Sequence, residues 1–265
     1  MSTITGLIVA MDKEADLIKG SMSEVKEEKR GHLTFYRGRL RGADIVLHVS
    51  GPGKVSATIG CVEMINAYRP AAIINSGVAG GLAPEVRRGD MVIGREIRYH
   101  DVWCGEGSEK GQMQGLPACF TVPERWVAAL ERLMAAPAAR PAEADGSEPP
   151  RLHFGLLCSG DRFITTAAEV EAIRADFPGA LAVDMESGAL AQTCYLYGVP
   201  FLCCRIVSDT PGATADAVAH FAQYNDFWQT APARSAAFLS DLLARLLSAR
   251  LPGPPKAVFH PETFS

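Results

Sequence analysis

The chain has no excess of basic residues: 26 Lys and Arg stand against 30 Asp and Glu, a formal net charge of −4. A nucleic-acid binder carries a basic face, so that class of partner is not expected. No uninterrupted apolar run approaches the ~20 residues of a membrane-spanning helix, so no membrane partner is expected either. The opening Met1-Ser2-Thr3-Ile4-Thr5-Gly6 lacks a basic n-region, and no signal peptide is expected. The seven cysteines are odd in number and follow no metal-ligand spacing, and Cys203-Cys204 is adjacent rather than C-x-x-C. Most of them (Cys61, Cys119, Cys158, Cys194) sit in apolar segments, where buried free thiols are usual. A reduced, cytoplasmic protein is the expectation. Tyr99-His100-Asp101 suggests metal ligands, but no second His stands at a supporting spacing, and no metal or cofactor is expected. The P-loop, the G-x-G-x-x-G fingerprint and internal repeats are all missing.

What is present is an ordinary globular composition, 48% hydrophobic and 21% charged, long enough to bury a substantial core. Short apolar runs at Ile4 to Ala10, Ala71 to Asn75, Met91 to Ile93 and Leu152 to Cys158 read as buried strands, with helical patterns between them. His32 to Tyr36 and Ile45 to Val49 predict a hairpin, with Gly38 and Gly42 in its connection. His48 and His153 fall in strand runs and read as packed or hydrogen-bonded side chains. Ser50-Gly51-Pro52-Gly53-Lys54 opens a helix in which Val55, Ile59, Val62 and Ile65 recur at helical spacing, which predicts one buried stripe. Arg98 to Phe120 reads as a long mixed loop, and a helix is predicted from about Pro123 to Met134. A final helix uses Phe238, Leu242 and Leu246. Strands alternating with helices predict an α/β fold, a three-layer α/β/α sandwich around a mixed, largely parallel twisted sheet. Residues 1–250 are expected to form one domain. A Pro- and Ala-rich flexible insertion at 135–150 and a tail at 251–265 complete the expectation.

The segment from Ala182 to Asp209 reads as strand, helix, strand, with Glu186 and Asp209 just past or at the strand ends. If the two strands are parallel, both carboxylates face one crevice outside the sheet edge, where open α/β sheets place ligands. Two acidic groups there suit acid/base chemistry or sugar binding. Glu14 is either a catalytic base or an acidic residue in the first exposed turn of a helix, and Glu186 has the same two readings. Ser76-Gly77-Val78-Ala79-Gly80-Gly81 is either a turn that lets backbone N–H groups approach a ligand or a plain tight turn. Residue patterns alone name no reaction.

Taken in order, several motifs resemble the bacterial 5′-methylthioadenosine/S-adenosylhomocysteine nucleosidases of the nucleoside phosphorylase superfamily. They are Ala10 to Glu14, Ser50 to Val55, Asn75 to Pro84, Gly89-Asp90, Arg98 to Asp101, Ser159 to Ile164, Val183 to Glu186 and Arg205 to Asp209. Together they cover nearly the whole chain up to about Leu247. The resemblance implies a homodimer that hydrolyses the N-glycosidic bond of a small-molecule adenine nucleoside. It implies that Asp209 is the acid that protonates adenine N7, oriented by Ser208, that Glu186 binds the ribose hydroxyls, and that Glu14 positions and deprotonates water. Phe163 and Ile164 match positions that hold adenine, Met11 and Met185 line the ribose, and Ala79 and Gly80 lie beside the base. Phosphorolytic relatives need an arginine in the loop after the first strand, where this chain reads Met11-Asp12-Lys13-Glu14, so water is the expected nucleophile. Asp184 replaces the Glu often found in the family, and Pro52 the Ile. Rival readings are an aminodeoxyfutalosine nucleosidase, a purine nucleoside phosphorylase or a non-catalytic nucleoside-binding module.

Overall fold

The computed structural model describes residues 4–135, 150–213, 216–230 and 241–247. Except for Ala135 and Pro150, the expected insertion lies outside the described residues, as do the tail and Phe238. β1 (Thr5–Val9) leads into α1 (Asp12–Lys19), and a meander of β2 (Met22–Arg30), β3 (Leu33–Leu40) and β4 (Ala43–Val49) follows. α2 (Lys54–Tyr68), β5 (Ala72–Gly81), β6 (Met91–Tyr99), β7 (Phe120–Thr121) and α3 (Glu124–Ala135) complete the first half. The second half runs β8 (Leu152–Ser159), α4 (Ala167–Asp176), β9 (Ala180–Asp184), α5 (Ser187–Tyr197), β10 (Phe201–Asp209) and α6 (Ala217–Thr230). A further helical stretch over 241–247 buries Leu242 and Leu246.

The strands form one mixed sheet with helices on both faces, the expected α/β architecture. Alternation along β1 shows how one strand serves two layers. Leu7 and Val9 join the core beneath α1, α3 and α6, while Ile8 joins the core beneath α2 and α5. α4 covers a smaller cluster over β8 and β9 through Val170 and Ile173.

Four expectations need correction. The hairpin is a three-stranded meander, because β2 was not foreseen: its Met22–Arg30 sequence is highly charged and mostly exposed, as an edge strand tolerates. The glycine-rich segment after Asn75 is not a turn but the second half of β5, and β6 likewise continues through Arg98 and Tyr99 into the stretch expected as loop. The predicted stripe of α2 is mostly outside. Val55 is 70% and Ile59 53% exposed, and Val62 is half-buried, so of the four only Ile65 is buried. α2 packs instead through Ala57, Gly60, Cys61 and Met64; a Cβ at Gly60 would collide with the His48 ring, so a small residue there sets the closeness of helix and sheet.

The fourth correction concerns β9 and β10. β10 runs parallel to β5, whereas β9 pairs antiparallel with the last residues of β5, so the two carboxylate-bearing strands are not parallel. They meet because β5 is long enough to be shared. Gly80 pairs with Asp209 on one side and Val183 on the other. β10 also pairs with β6, β6 with β8, and β8 with β9, so these five strands close into a ring. The common crevice is the mouth of that ring.

Candidate active site

A cavity of about 310 Å³ opens at this mouth, and all ten residues singled out from the sequence line it. Met11 and Glu14 come from the β1–α1 junction, Ala79 and Gly80 from β5, and Phe163 and Ile164 from the β8–α4 loop. Met185 and Glu186 follow β9, while Ser208 and Asp209 end β10. Pro52, Arg162, Phe221 and Tyr224 line it as well.

Glu14 is in the first turn of α1 but is not exposed there. It reaches back to the helix entry, where Oε2 accepts from the Ala10 and Met11 N–H groups at 2.8 and 3.0 Å. This is half of a capping box. Yet it is buried, and Oε1 accepts from the Val78 N–H of β5 at 2.9 Å, which turns the carboxyl into the cavity wall. Burial raises its pKa, against the pull of Arg205 and the three backbone N–H groups. A carboxyl so placed takes up a proton more readily than an exposed one, a property suited to a base.

Glu186 starts α5 without capping it; Asp184 Oδ1 takes the Ser187 N–H at 3.2 Å instead. The Glu186 side chain is thereby left to cross to α2, whose N-cap residue Gly53 has no side chain to cap it. There Oε1 accepts from the Gly53 N–H at 3.0 Å, while Oε2 accepts from Arg205 at 3.1 Å. Desolvation pushes its pKa up to about 7, and Asp184 nearby adds to the rise while Arg205 opposes it.

Arg205 was not expected as a site residue. It is 0% exposed within β10, and its Nη2 lies 2.7 Å from Asp184 Oδ2 and 2.6 Å from Asn75 Oδ1. Ser187 Oγ joins the same group, donating to Asp184 or to Asn75. One guanidinium thus anchors Asp184 and Glu186 and acts on Glu14. The signal was a lone charge in the otherwise apolar run Phe201 to Val207, since a buried arginine needs carboxylates around it.

Asp209 is buried at the opposite wall, and Ser208 Oγ donates to its Oδ1. An aromatic cluster borders the same cavity: Phe163 packs against Phe221 and Tyr224 with ring centroids 6.0 and 5.6 Å apart. The Tyr224 hydroxyl reaches Met11 Sδ at 3.3 Å. Tyr224 was not foreseen, since α6 carries no strong periodic signal. The Tyr99-His100-Asp101 segment serves a different end. Asp101 Oδ2 takes Lys54 Nζ at 2.8 Å and the Asp161 N–H at 2.8 Å, tying the start of α2 to the loop that carries Phe163. Among the described residues no group of three or more His, Cys, Asp or Glu is placed to hold a metal ion. Also among the described residues, no helix is long and apolar enough to cross a membrane.

The arrangement sets three buried carboxyl side chains, Glu14, Glu186 and Asp209, among apolar and aromatic walls of one cavity. The family model that matches residues 4–244 is that of the Phosphorylase superfamily. A Halalkalibacterium halodurans protein called 5′-methylthioadenosine/S-adenosylhomocysteine nucleosidase is 38% identical over 245 residues, 92% of this chain and 99% of that one. One of the same description from Haemophilus influenzae is 35% identical over 91% of this chain and 99% of its own. Among solved structures, the Neisseria meningitidis nucleosidase in complex with methylthio-immucillin-A superposes with a TM-score of 0.78 at 33% identity. That match covers 91% of this chain and 99% of the other. The Colwellia psychrerythraea nucleosidase in complex with adenine gives 0.80 at 31% identity, over 93% and 96%. The chain belongs to the phosphorylase superfamily and, within it, to the 5′-methylthioadenosine/S-adenosylhomocysteine nucleosidase family. A Helicobacter pylori futalosine hydrolase at 24% identity and a TM-score of 0.79 shares the fold.

Proposed function

We propose that the cavity hydrolyses the N-glycosidic bond of 5′-methylthioadenosine and S-adenosylhomocysteine, releasing adenine and the thioribose product. Adenine lies against Phe163 and the Ile164 backbone, with Ala79 and Gly80 beside it. Met11 and Met185 flank the ribose, and Glu186 binds its hydroxyls. Cleavage leaves electron density on the purine and positive charge on the sugar. Asp209, held by Ser208, protonates N7 as the base departs, and the carboxylates below stabilise the oxocarbenium-like sugar. Glu14 orients water and takes its proton.

The observation that carries this reading is the position of Glu14. A phosphorolytic enzyme needs positive charge for its phosphate, but the junction after β1 puts a buried carboxyl in the cavity wall. Apolar Pro52, Met11 and Phe221 favour a thioether over a charged 5′ group. A role in methionine salvage and a cytoplasmic setting belong to the same proposal, the latter supported by seven free cysteines.

A homodimer is also proposed. It is supported by the outward apolar side of α2, where Val55 and Ile59 stand beside Leu196 and Tyr197 of α5 around a shallow groove.

One assay tests the reaction. Methylthioadenosine, adenosylhomocysteine, aminodeoxyfutalosine and inosine are each incubated with and without phosphate, and base and sugar products are identified. Adenine release from the two thioether nucleosides without phosphate is expected. A strict phosphate requirement with a sugar 1-phosphate product would refute hydrolysis.

A further inference from the structure

Asp209 has a neighbour that does not line the cavity. His220, at the end of the first turn of α6, is 0% exposed, and its Nε2 lies 3.0 Å from Asp209 Oδ2. The contact is off the hydrogen-bond line, so among the described residues neither ring nitrogen has an aligned partner. The imidazole rests against Phe163 at 5.6 Å between centroids, while Phe221 and Tyr224 of the same helix face the cavity. His220 therefore backs the acid from outside the substrate space. The two carboxylate oxygens are divided, Oδ1 to Ser208 and Oδ2 to His220. A buried imidazole without aligned partners is costly, and the Asp209 carboxyl at 3.0 Å is placed to offset that cost at Nε2.

We propose, resting on the nucleosidase reading above, that His220 is a positioning residue for the acid: it shares a single proton with Asp209 and holds it at Oδ2 for delivery to the leaving purine. The one-proton pair is either carboxylic acid with neutral imidazole or carboxylate with imidazolium. At bond cleavage the Oδ2 proton passes to adenine N7, and the C–N electron pair leaves with the purine. The attacking water binds C1′ and gives its proton to Glu14. After product release Glu14 loses that proton to solvent and the pair takes one up, so charge and atoms balance over the cycle. The other titratable groups around the pair are Tyr224, one turn along α6, Asp216 at the start of that helix, and Glu14 and Glu186 across the cavity.

His220→Gln and His220→Asn test the proposal with two substrates. One is methylthioadenosine; the other is a 4-nitrophenyl 5-methylthioriboside, whose leaving group departs as an anion without an acid. On methylthioadenosine, kcat is expected to fall about tenfold or more with KM changed by less than about threefold, and the alkaline limb of kcat to move to lower pH. The nitrophenyl substrate should lose less than about threefold. Equal losses on both substrates, or an unmoved alkaline limb, would reduce His220 to packing. If the variants do not fold, ¹⁵N resonances of the His220 ring in the wild-type protein and in Asp209→Asn decide. A shift on substitution supports the shared proton and identical spectra refute it. That measurement needs no turnover, so it stands even where the wild-type enzyme releases no adenine and the functional reading itself fails.

Discussion

The carboxylates of this site differ in what surrounds them, and each should respond to its own substitution. Asp209→Asn leaves the shape of the side chain and its contact with Ser208 but removes the proton. Turnover of methylthioadenosine should fall about 10²–10⁴-fold with the far-UV circular dichroism unchanged. Near-normal turnover would sink the acid assignment. Glu186 predicts a stability effect as well. Its pKa in the folded protein, about 7, lies above that of an exposed glutamate, so the native state binds the extra proton between the two values. Stability from this group is therefore greatest at low pH and is lost as pH rises through about 7. Glu186→Gln should flatten the fall in urea midpoint between pH 5 and 7.5 and raise the midpoint at pH 8, while abolishing most activity. A wild-type slope in the variant would place the titration elsewhere. Arg205→Met should be far more damaging. It strips the partner from Asp184 and Glu186 at once, and losing one member of a buried ion pair costs about 3–5 kcal/mol in chemical denaturation.

At the scale of elements, β5 decides the site. Gly77 has φ +149°, and a Cβ there would run into Glu14 and Arg205. Gly77→Ala should therefore displace both groups, lowering the unfolding free energy from urea denaturation by about 1–3 kcal/mol and kcat with it; an unchanged kcat would show that the two groups adjust freely. This strand also marks how far the sequence could be read. The apolar runs of β1 and β10 were legible because strands buried on both faces leave continuous hydrophobic stretches. The glycines of β5 read as a turn because nothing local says that they are needed for close approach of Glu14, Pro211 and neighbouring strands. β2 stayed hidden behind its charges, and the α2 stripe was misjudged because periodicity marks an apolar side without saying what covers it. Within the site, residues at strand ends were legible and those acting from beneath were not. Arg205, Asn75 and Ser187 acquire meaning only when three strands and a helix bring them together, and His220 only when α6 folds over the end of β10.

For the molecule as a whole, the outward side of α2 and α5 makes a checkable statement about assembly. Ile59→Glu places a charge in the middle of the apolar groove while leaving the folded core untouched, since Ile59 is already exposed. Sedimentation velocity should show a dimer for the wild-type chain and a monomer for the variant, and a variant that stays dimeric would move the interface elsewhere.

The first turn of α2 extends this further. Its Gly53 N–H holds Glu186 and its Lys54 N–H holds Asp161, next to the loop carrying Phe163. Within its first two turns the same helix exposes Val55 and Ile59. A single helix thus has one end at the cavity and its flank on the proposed contact between copies, so a dimer formed there is expected to couple association to substrate binding. Dilution should weaken substrate affinity as the dimer dissociates, and a tight-binding nucleoside analogue should, by reciprocity, lower the concentration at which two copies come together.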